Sequence, residues 1–210
     1  GEVLCGDSPD VAARYAAVFA RLMAELTDVT VVPPLPNPRW ARWDHTDPGL
    51  WPAIGVLDER DQSAVPAYVV ETAERARTRL LTSGRLPCVL GHADFEAQNL
   101  RWRDGEVWAV HDWDSLAWQP EAALVGAACG TFSTVSPPTL APVESSAAFL
   151  TTYQELRERR FTAGELEIAW AASLWPALHN ARWEALHEDP PVCLDAVRAQ
   201  AAERLRRANV

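Results

Sequence analysis

The sequence contains no lysine: all 19 basic residues are arginine. A Schiff-base lysine, a phosphate-loop lysine and an ATP-clamping lysine are therefore excluded within these residues. Glycine is scarce, at 10 in 210. No two glycines stand in a G-x-G-x-x-G or G-x-x-x-x-G-K arrangement, so no glycine loop cradles phosphates here. Cys5, Cys88, Cys129 and Cys193 form no C-x-x-C pair and no zinc spacing with histidine. They read as reduced, mostly buried thiols of a cytoplasmic protein. No apolar run approaches the roughly 18 residues of a membrane span, and Gly1–Asp10 lacks the basic start and apolar stretch of a signal peptide. Cations are outnumbered, with a formal charge of −10, which speaks against nucleic acid, whose binders need a basic stripe.

What is present is ordinary globular usage, 48% hydrophobic and 23% charged, in a chain long enough to bury a core. Ser8-Pro9-Asp10 is a helix start, and Val11, Tyr15, Val18, Leu22 and Leu26 recur at helical spacing, predicting a helix over 10–27. The stretch from about 30 to 60 carries prolines together with Trp40, Trp43 and Trp51, and reads as an irregular packed insertion rather than a linker. A second helix is expected over 64–81. The pattern then changes: Leu86–Leu90 is a short apolar run, and two strand-like segments, 99–103 and 106–111, flank the turn signal Asp104-Gly105. Helices are expected over 120–129, 144–160, 163–187 with a kink at Pro176, and 190–207. Thr162 and Glu165 form a capping box for the third of these.

Polar side chains gather around the hairpin: His92, Asp94, Asn99, His111, Asp112 and Asp114. A two-residue loop at 104–105 pairs 103 with 106, so counting back sets 99 opposite 110. Residue 112 then shares a face with 110, because strand side chains alternate. Asn99 and Asp112 are thereby expected as diagonal neighbours at the open end, roughly 7–8 Å apart or less. Two oxygen ligands with the Asp94 carboxylate nearby suit magnesium, which keeps waters and substrate phosphates among its ligands.

His92-Ala93-Asp94-Phe95-Glu96-Ala97-Gln98-Asn99 resembles the H-x-D-x-x-x-x-N catalytic loop of the aminoglycoside phosphotransferase family. Asp112-Trp113-Asp114 resembles the D-W-acid motif that follows it there. The likeness is firm over 85–125. It implies an α+β, mainly helical fold, the protein-kinase-like C-lobe, with a short β-hairpin carrying the active site. It also implies ATP and magnesium, Asp94 as the base facing the acceptor hydroxyl, and Asn99 and Asp112 as the ligands holding metal and nucleotide. His92 becomes a buried organiser of the loop and Asp114 an auxiliary acid. The expected partners are a nucleotide and a small-molecule acceptor. Glu96, Asp114, Asp58, Glu59 and Asp61 near the cleft would favour a cationic or polyhydroxylated one.

Two departures accompany the match. Ala123 stands where the family carries an aspartate in a D-P-x-x-D-L-like stretch, removing a usual anchor of the loop. The residues before Ser8 are too few for an ATP-clamping N-lobe, so 1–9 reads as a hinge remnant and 10–210 as a C-lobe without its partner lobe. The exposed inter-lobe face is then a candidate surface for homodimerisation. Two other classes stay open: a pseudokinase-like binding module, and a metal-dependent phosphohydrolase built on His92, Asp94, His111 and Asp112. His111 is otherwise expected as a core histidine, and Arg157, Arg159, Arg160, Arg204, Arg206 and Arg207 as solvated helix faces.

Overall fold

The computed structural model describes residues 1–32 and 35–210; Pro33 and Pro34, in the tryptophan-rich stretch, lie outside the described residues. Helix α1 (Pro9–Leu26) starts as expected, with the Ser8 hydroxyl accepting the Val11 amide. It lies along α5 (Val143–Leu156), and the seam between them is aromatic. Phe19 meets Tyr153 and Phe149 at ring distances of 5.9 and 6.1 Å, while Tyr15 meets Phe132 at 5.4 Å. Such offset pairs add to the burial of large apolar rings.

The tryptophan-rich stretch is packed, as its composition predicts. It holds a single turn at Arg39–Ala41 and the short helix α2 (Gly55–Asp58). Trp43 is buried, and Trp51 lies 5.7 Å from Trp175, whose indole N–H donates to the Trp40 carbonyl. Helix α3 (Ala67–Leu81) begins three residues later than expected. Pro66 keeps Val65 extended, because proline disfavours helical backbone at the residue before it.

Two antiparallel ribbons position the site. Strand β1 (Cys88–His92) pairs with β4 (Leu116–Pro120), a strand that the sequence reading did not anticipate. Strands β2 (Leu100–Arg103) and β3 (Glu106–Val110) form the expected hairpin, and Asp104 and Gly105 both adopt positive φ, 52° and 83°. That is the backbone a tight two-residue turn demands.

Helix α4 (Glu121–Thr131) packs closely on α6 (Ala163–Ala172). A Cβ at Gly126 or Gly130 would overlap the backbone of Ala169 or Ser173. The Thr162–Glu165 capping box forms as expected. The long helix expected over 163–187 is instead two, α6 and α7 (Trp175–His187). Pro176 has no N–H to give, and its ring would strike the Ala172 carbonyl, so the chain breaks at Ser173–Leu174 rather than kinking.

Helix α8 (Val192–Arg207) also starts late, because its cap comes from α7: the Glu184 carboxylate accepts the amides of Cys193 and Leu194 at 2.8 and 2.9 Å. Arg204, expected on a solvated face, is fully buried. It donates to Ser173 Oγ, Ser146 Oγ, Gln200 Oε1 and the Ala141 carbonyl. The four cysteines are free, Cys129 and Cys193 buried and Cys5 exposed. No helix among the described residues is long and apolar enough to cross a membrane.

Candidate active site

β1 delivers His92 into the interior, where 1% of it remains exposed. Its Nδ1 accepts the Asp94 amide at 3.2 Å and its Nε2 donates to the His111 carbonyl at 2.9 Å. An acceptor at one nitrogen and a donor at the other define a neutral ring, and burial lowers the pKa in the same sense. The imidazole thus ties the loop after β1 to the end of β3. Phe95, fully buried 4.6 Å from the Phe19 ring, anchors the loop from below. Asp94 and Glu96 are held on either side of it.

Asn99 closes the loop. Its amide donates to the Glu96 carbonyl at 2.9 Å, and its Nδ2 donates to both the carboxylate and the carbonyl of Asp94, at 2.8 and 2.9 Å. The side-chain amide is thereby oriented with Nδ2 on Asp94 and Oδ1 left to accept other partners.

The register differs from the one derived by counting. Trp102 pairs with Val107 but Arg101 with Ala109, so Trp108 is bulged out and Leu100 faces Val110. A bulge adds one residue to one strand. Asn99 accordingly meets His111, whose amide donates to its carbonyl at 2.8 Å. Asp112 leaves the strand in a left-handed conformation, φ 60°, which turns its side chain back toward the loop. Its Oδ2 accepts the Ser115 hydroxyl at 2.7 Å, and its carboxylate lies near enough to Asp94 to help raise the pKa of that group. Asp94, Asn99 and Asp112 thus meet by a different backbone route from the one predicted.

Electrostatics follow from this crowding. Burial raises the Asp94 pKa to about 6, with the neighbouring Asp112 carboxylate adding to the shift and Asn99 opposing it. Glu96 is pushed well above the usual carboxylate range by burial, then by the charge of Asp94, although Gln98 donates to it at 2.7 Å. The carboxylates open into a cleft of about 260 Å3 whose opposite wall carries Trp40, His179 and Asn180. Burial pulls the His179 pKa down to about 4, so that ring is neutral too.

Several expectations land elsewhere. Asp114 is exposed, outside the cleft lining, and makes no side-chain hydrogen bond among the described residues. His111 is exposed rather than in the core, since the hairpin end faces outward. Of the five acids expected near the cleft only Glu96 lines it. Asp58 is instead 2.7 Å from the guanidinium of Arg182, and Asp61 caps its own turn. Ala123 is buried and lines a small apolar space with Ala93, Trp40, Trp43 and Trp175. Apolar packing thus supports the loop at this position.

His179, Asn180 and Ser115 are cleft residues that the sequence reading missed. Ser115 was reachable, three residues after Asp112 where a hydroxyl can bond back to an acid. His179 and Asn180 sit on a helix 80 residues away in sequence from the loop and carry no local signal.

The donor set that could hold a cation is small. No group of three or more His, Cys, Asp and Glu side chains arranged to hold a metal occurs among the described residues. Asn99 Oδ1 and the Asp112 carboxylate offer two oxygens, and magnesium commonly takes the rest from phosphates and water.

The class the fold defines is a kinase-like α+β fold, mainly helical. The chain is similar to a choline/ethanolamine kinase family protein from Mesorhizobium loti, with a TM-score of 0.55, 19% identity, and coverage of 96% of this chain and 62% of that one. It also aligns with an ADP-bound aminoglycoside phosphotransferase, at a TM-score of 0.46 and 13% identity over 95% of this chain and 64% of that one. The chain therefore spans less than two thirds of the length of either structure, and the likeness is one of fold. No family model and no curated protein matches the sequence.

Proposed function

We propose that the chain is the catalytic lobe, 10–210, of a phosphotransferase that moves the γ-phosphoryl group of ATP to a hydroxyl of a small molecule. The observation that carries this reading is that Asp94 and Asp112 line one cleft, with Asn99 bonded to the Asp94 carboxylate behind them on a loop held by the buried His92. Asp94 accepts the proton of the attacking hydroxyl as its oxygen bonds to phosphorus. The bond from phosphorus to the ADP oxygen breaks, and ADP leaves with the electron pair. Phosphoryl transfer needs chiefly positioning and charge neutralisation, and magnesium held by Asn99 and Asp112 would supply neutralisation at the phosphates.

No arginine among the described residues lines the cleft, and in this reading the remaining cations for ATP sit on a lobe joined through 1–9. That lead-in is already seated on the hairpin: Glu2 and Trp102 exchange two backbone hydrogen bonds of 2.7 Å. The acidic cleft favours a cationic or polyhydroxylated acceptor. Magnesium-dependent ATP consumption screened across choline, amino sugars, macrolides, aminoglycosides and other alcohols tests the reading. Preference for a strongly anionic acceptor would overturn the charge argument.

The hydrolase alternative, built on His92, Asp94, His111 and Asp112, loses His92 as a ligand, because both of its ring nitrogens are committed to backbone groups. A non-catalytic binding module is separated by the same assay: turnover that Asp94→Ala removes is incompatible with it.

A further inference from the structure

The cleft at Asp94 does not end at His179. A second hollow of about 290 Å3 adjoins it, lined by Pro137, Pro138, Trp183 and Asp189 among others, and the two share Asn180 and Pro138 as lining residues. One stripe of α7 runs through both: Pro176, His179, Asn180 and Trp183 recur at i, i+3, i+4 and i+7, the spacing of a single helix face. The first part of that stripe is polar and neutral, the last part aromatic. Trp183 is 40% exposed, and its ring is fixed by stacking on His187 at 4.1 Å and 15°. Across from it stand two consecutive prolines, stiff and without N–H groups.

Charge is distributed unevenly along this groove. Asp94 and Asp112 bring carboxylates to its first part, where burial pushes Glu96 toward its neutral form. In the second part the Glu184 carboxylate is already engaged by the amides of Cys193 and Leu194, Asp189 is an exposed carboxylate at the end away from Asp94, and no arginine among the described residues lines either part. Size points the same way. Each hollow alone falls below the roughly 300–1,000 Å3 of a site for a drug-sized ligand, and joined they enter that range. An acceptor of two or three carbons fits within the first and leaves the tryptophan wet.

We infer that the acceptor is an amphipathic amino alcohol, its hydroxyl and ammonium among the carboxylates and a cyclic apolar body seated between Trp183 and the Pro137-Pro138 wall. The inference rests on the phosphotransferase reading for which end carries the hydroxyl. Trp183 is then a specificity-determining residue that touches the part of the acceptor farthest from the chemistry.

The test uses two probes, 2-aminoethanol and 2-amino-4-phenylbutan-1-ol, titrated into the protein by calorimetry or NMR. The aryl probe should bind at least about tenfold tighter, the scale of a well-packed aromatic contact plus its apolar burial. Trp183→Ala should bring the affinity ratio to within about threefold of unity, and Trp183→Phe should restore most of it. A ratio near unity in the parent, or a full ratio retained in Trp183→Ala, overturns the inference. Turnover of the full-length protein with magnesium and ATP separates the two readings. Aryl-selective binding without phosphorylation of either probe keeps the groove and sinks the phosphotransferase. Phosphorylation of both probes with equal kcat/KM in parent and Trp183→Ala does the reverse.

Discussion

The segment from β1 to β4, which carries the candidate site, and the helical layer of α6, α7 and α8 solve their polar problems in opposite ways. In the first, partners are close in sequence: His92 bonds Asp94 and His111, Asn99 bonds Asp94, and Asp112 bonds Ser115. In the second they are distant. Arg182, 2% exposed, reaches Gln62 across 120 residues and Asp58 across 124. Arg204 reaches Ser146 across 58. A short segment whose polar groups satisfy one another can hold reacting groups in place without support from a large interface. Long-range polar bonds instead fasten one layer to another. Damage to the first region should therefore cost chemistry, and damage to the second should cost stability.

Arg204→Ala is expected to have the largest effect. The guanidinium is fully buried, with its pKa lowered to about 10 by burial, so it stays charged while bonded only to neutral oxygens. Removal leaves a cavity and strips partners from Ala141, Ser146 and Ser173, for a loss of about 3 kcal/mol. Denaturant titration reads this as a lower midpoint. Turnover per folded molecule should stay within about twofold of the parent, and a selective loss of turnover would break the division between the regions.

Asp94→Ala should do the converse. Turnover falls by at least about 100-fold, roughly 2.7 kcal/mol of barrier, with little change in nucleotide affinity. The denaturation midpoint should not fall, since the carboxylate is held in a site that opposes its charge. Steady-state kinetics beside a melting curve checks both halves.

The same division explains what was legible in the sequence. The loop His92–Asn99, the Asp104-Gly105 turn, the Ser8 cap and the Thr162 box are all local, and each appears where its residues predict. The bulge at Trp108 was not legible: a two-residue turn sets the pairing beside it, but only packing decides whether the ladder continues unbroken. β4 was missed because Leu116–Pro120 has no pattern of its own and is a strand by virtue of β1. Arg204 was misjudged because an arginine among arginines at a helix end resembles a solvated face. Its burial depends on Ser146 and Ala141, which no local window contains. His179 and Trp183 entered the groove for the same reason, through the way α7 packs.

His179 belongs to the helical layer yet faces the cleft, so it sharpens the comparison through pH. Its pKa of about 4 in the folded protein lies below the ordinary histidine value of 6.5. Between those values the unfolded chain binds more protons than the native one, so stability rises with pH across that window and is lost as pH falls from 6.5 toward 4. The slope is at most about 1.4 kcal/mol per pH unit. His179→Gln should remove it, seen as a smaller difference between denaturation midpoints at pH 6.5 and pH 4.5 than in the parent. Equal differences in the two proteins would mean that the ring is solvated and sits outside the wall of the cleft.

The smallest effect tests whether local legibility extends into the helical layer itself. Thr162 caps α6 through its hydroxyl, which accepts the Glu165 amide at 3.2 Å, while the Glu165 carboxylate accepts the Thr162 amide at 2.9 Å. Arg159 adds an ion pair to the same carboxylate at 2.5 Å. All of these partners lie within six residues, so this corner of the layer is built as the His92–Asn99 loop is built. Thr162→Ala removes the hydroxyl but leaves the Glu165 carboxylate on the Thr162-position amide, and the cost should be about 1 kcal/mol. Turnover should not change, because α6 meets the segment from β1 to β4 through α4 rather than through its own first turn. A loss as large as that of Arg204→Ala would mean that α6 depends on its cap more than on its packing against Gly126 and Gly130, and distance in sequence would no longer separate the bonds that hold this fold together from those that shape its site.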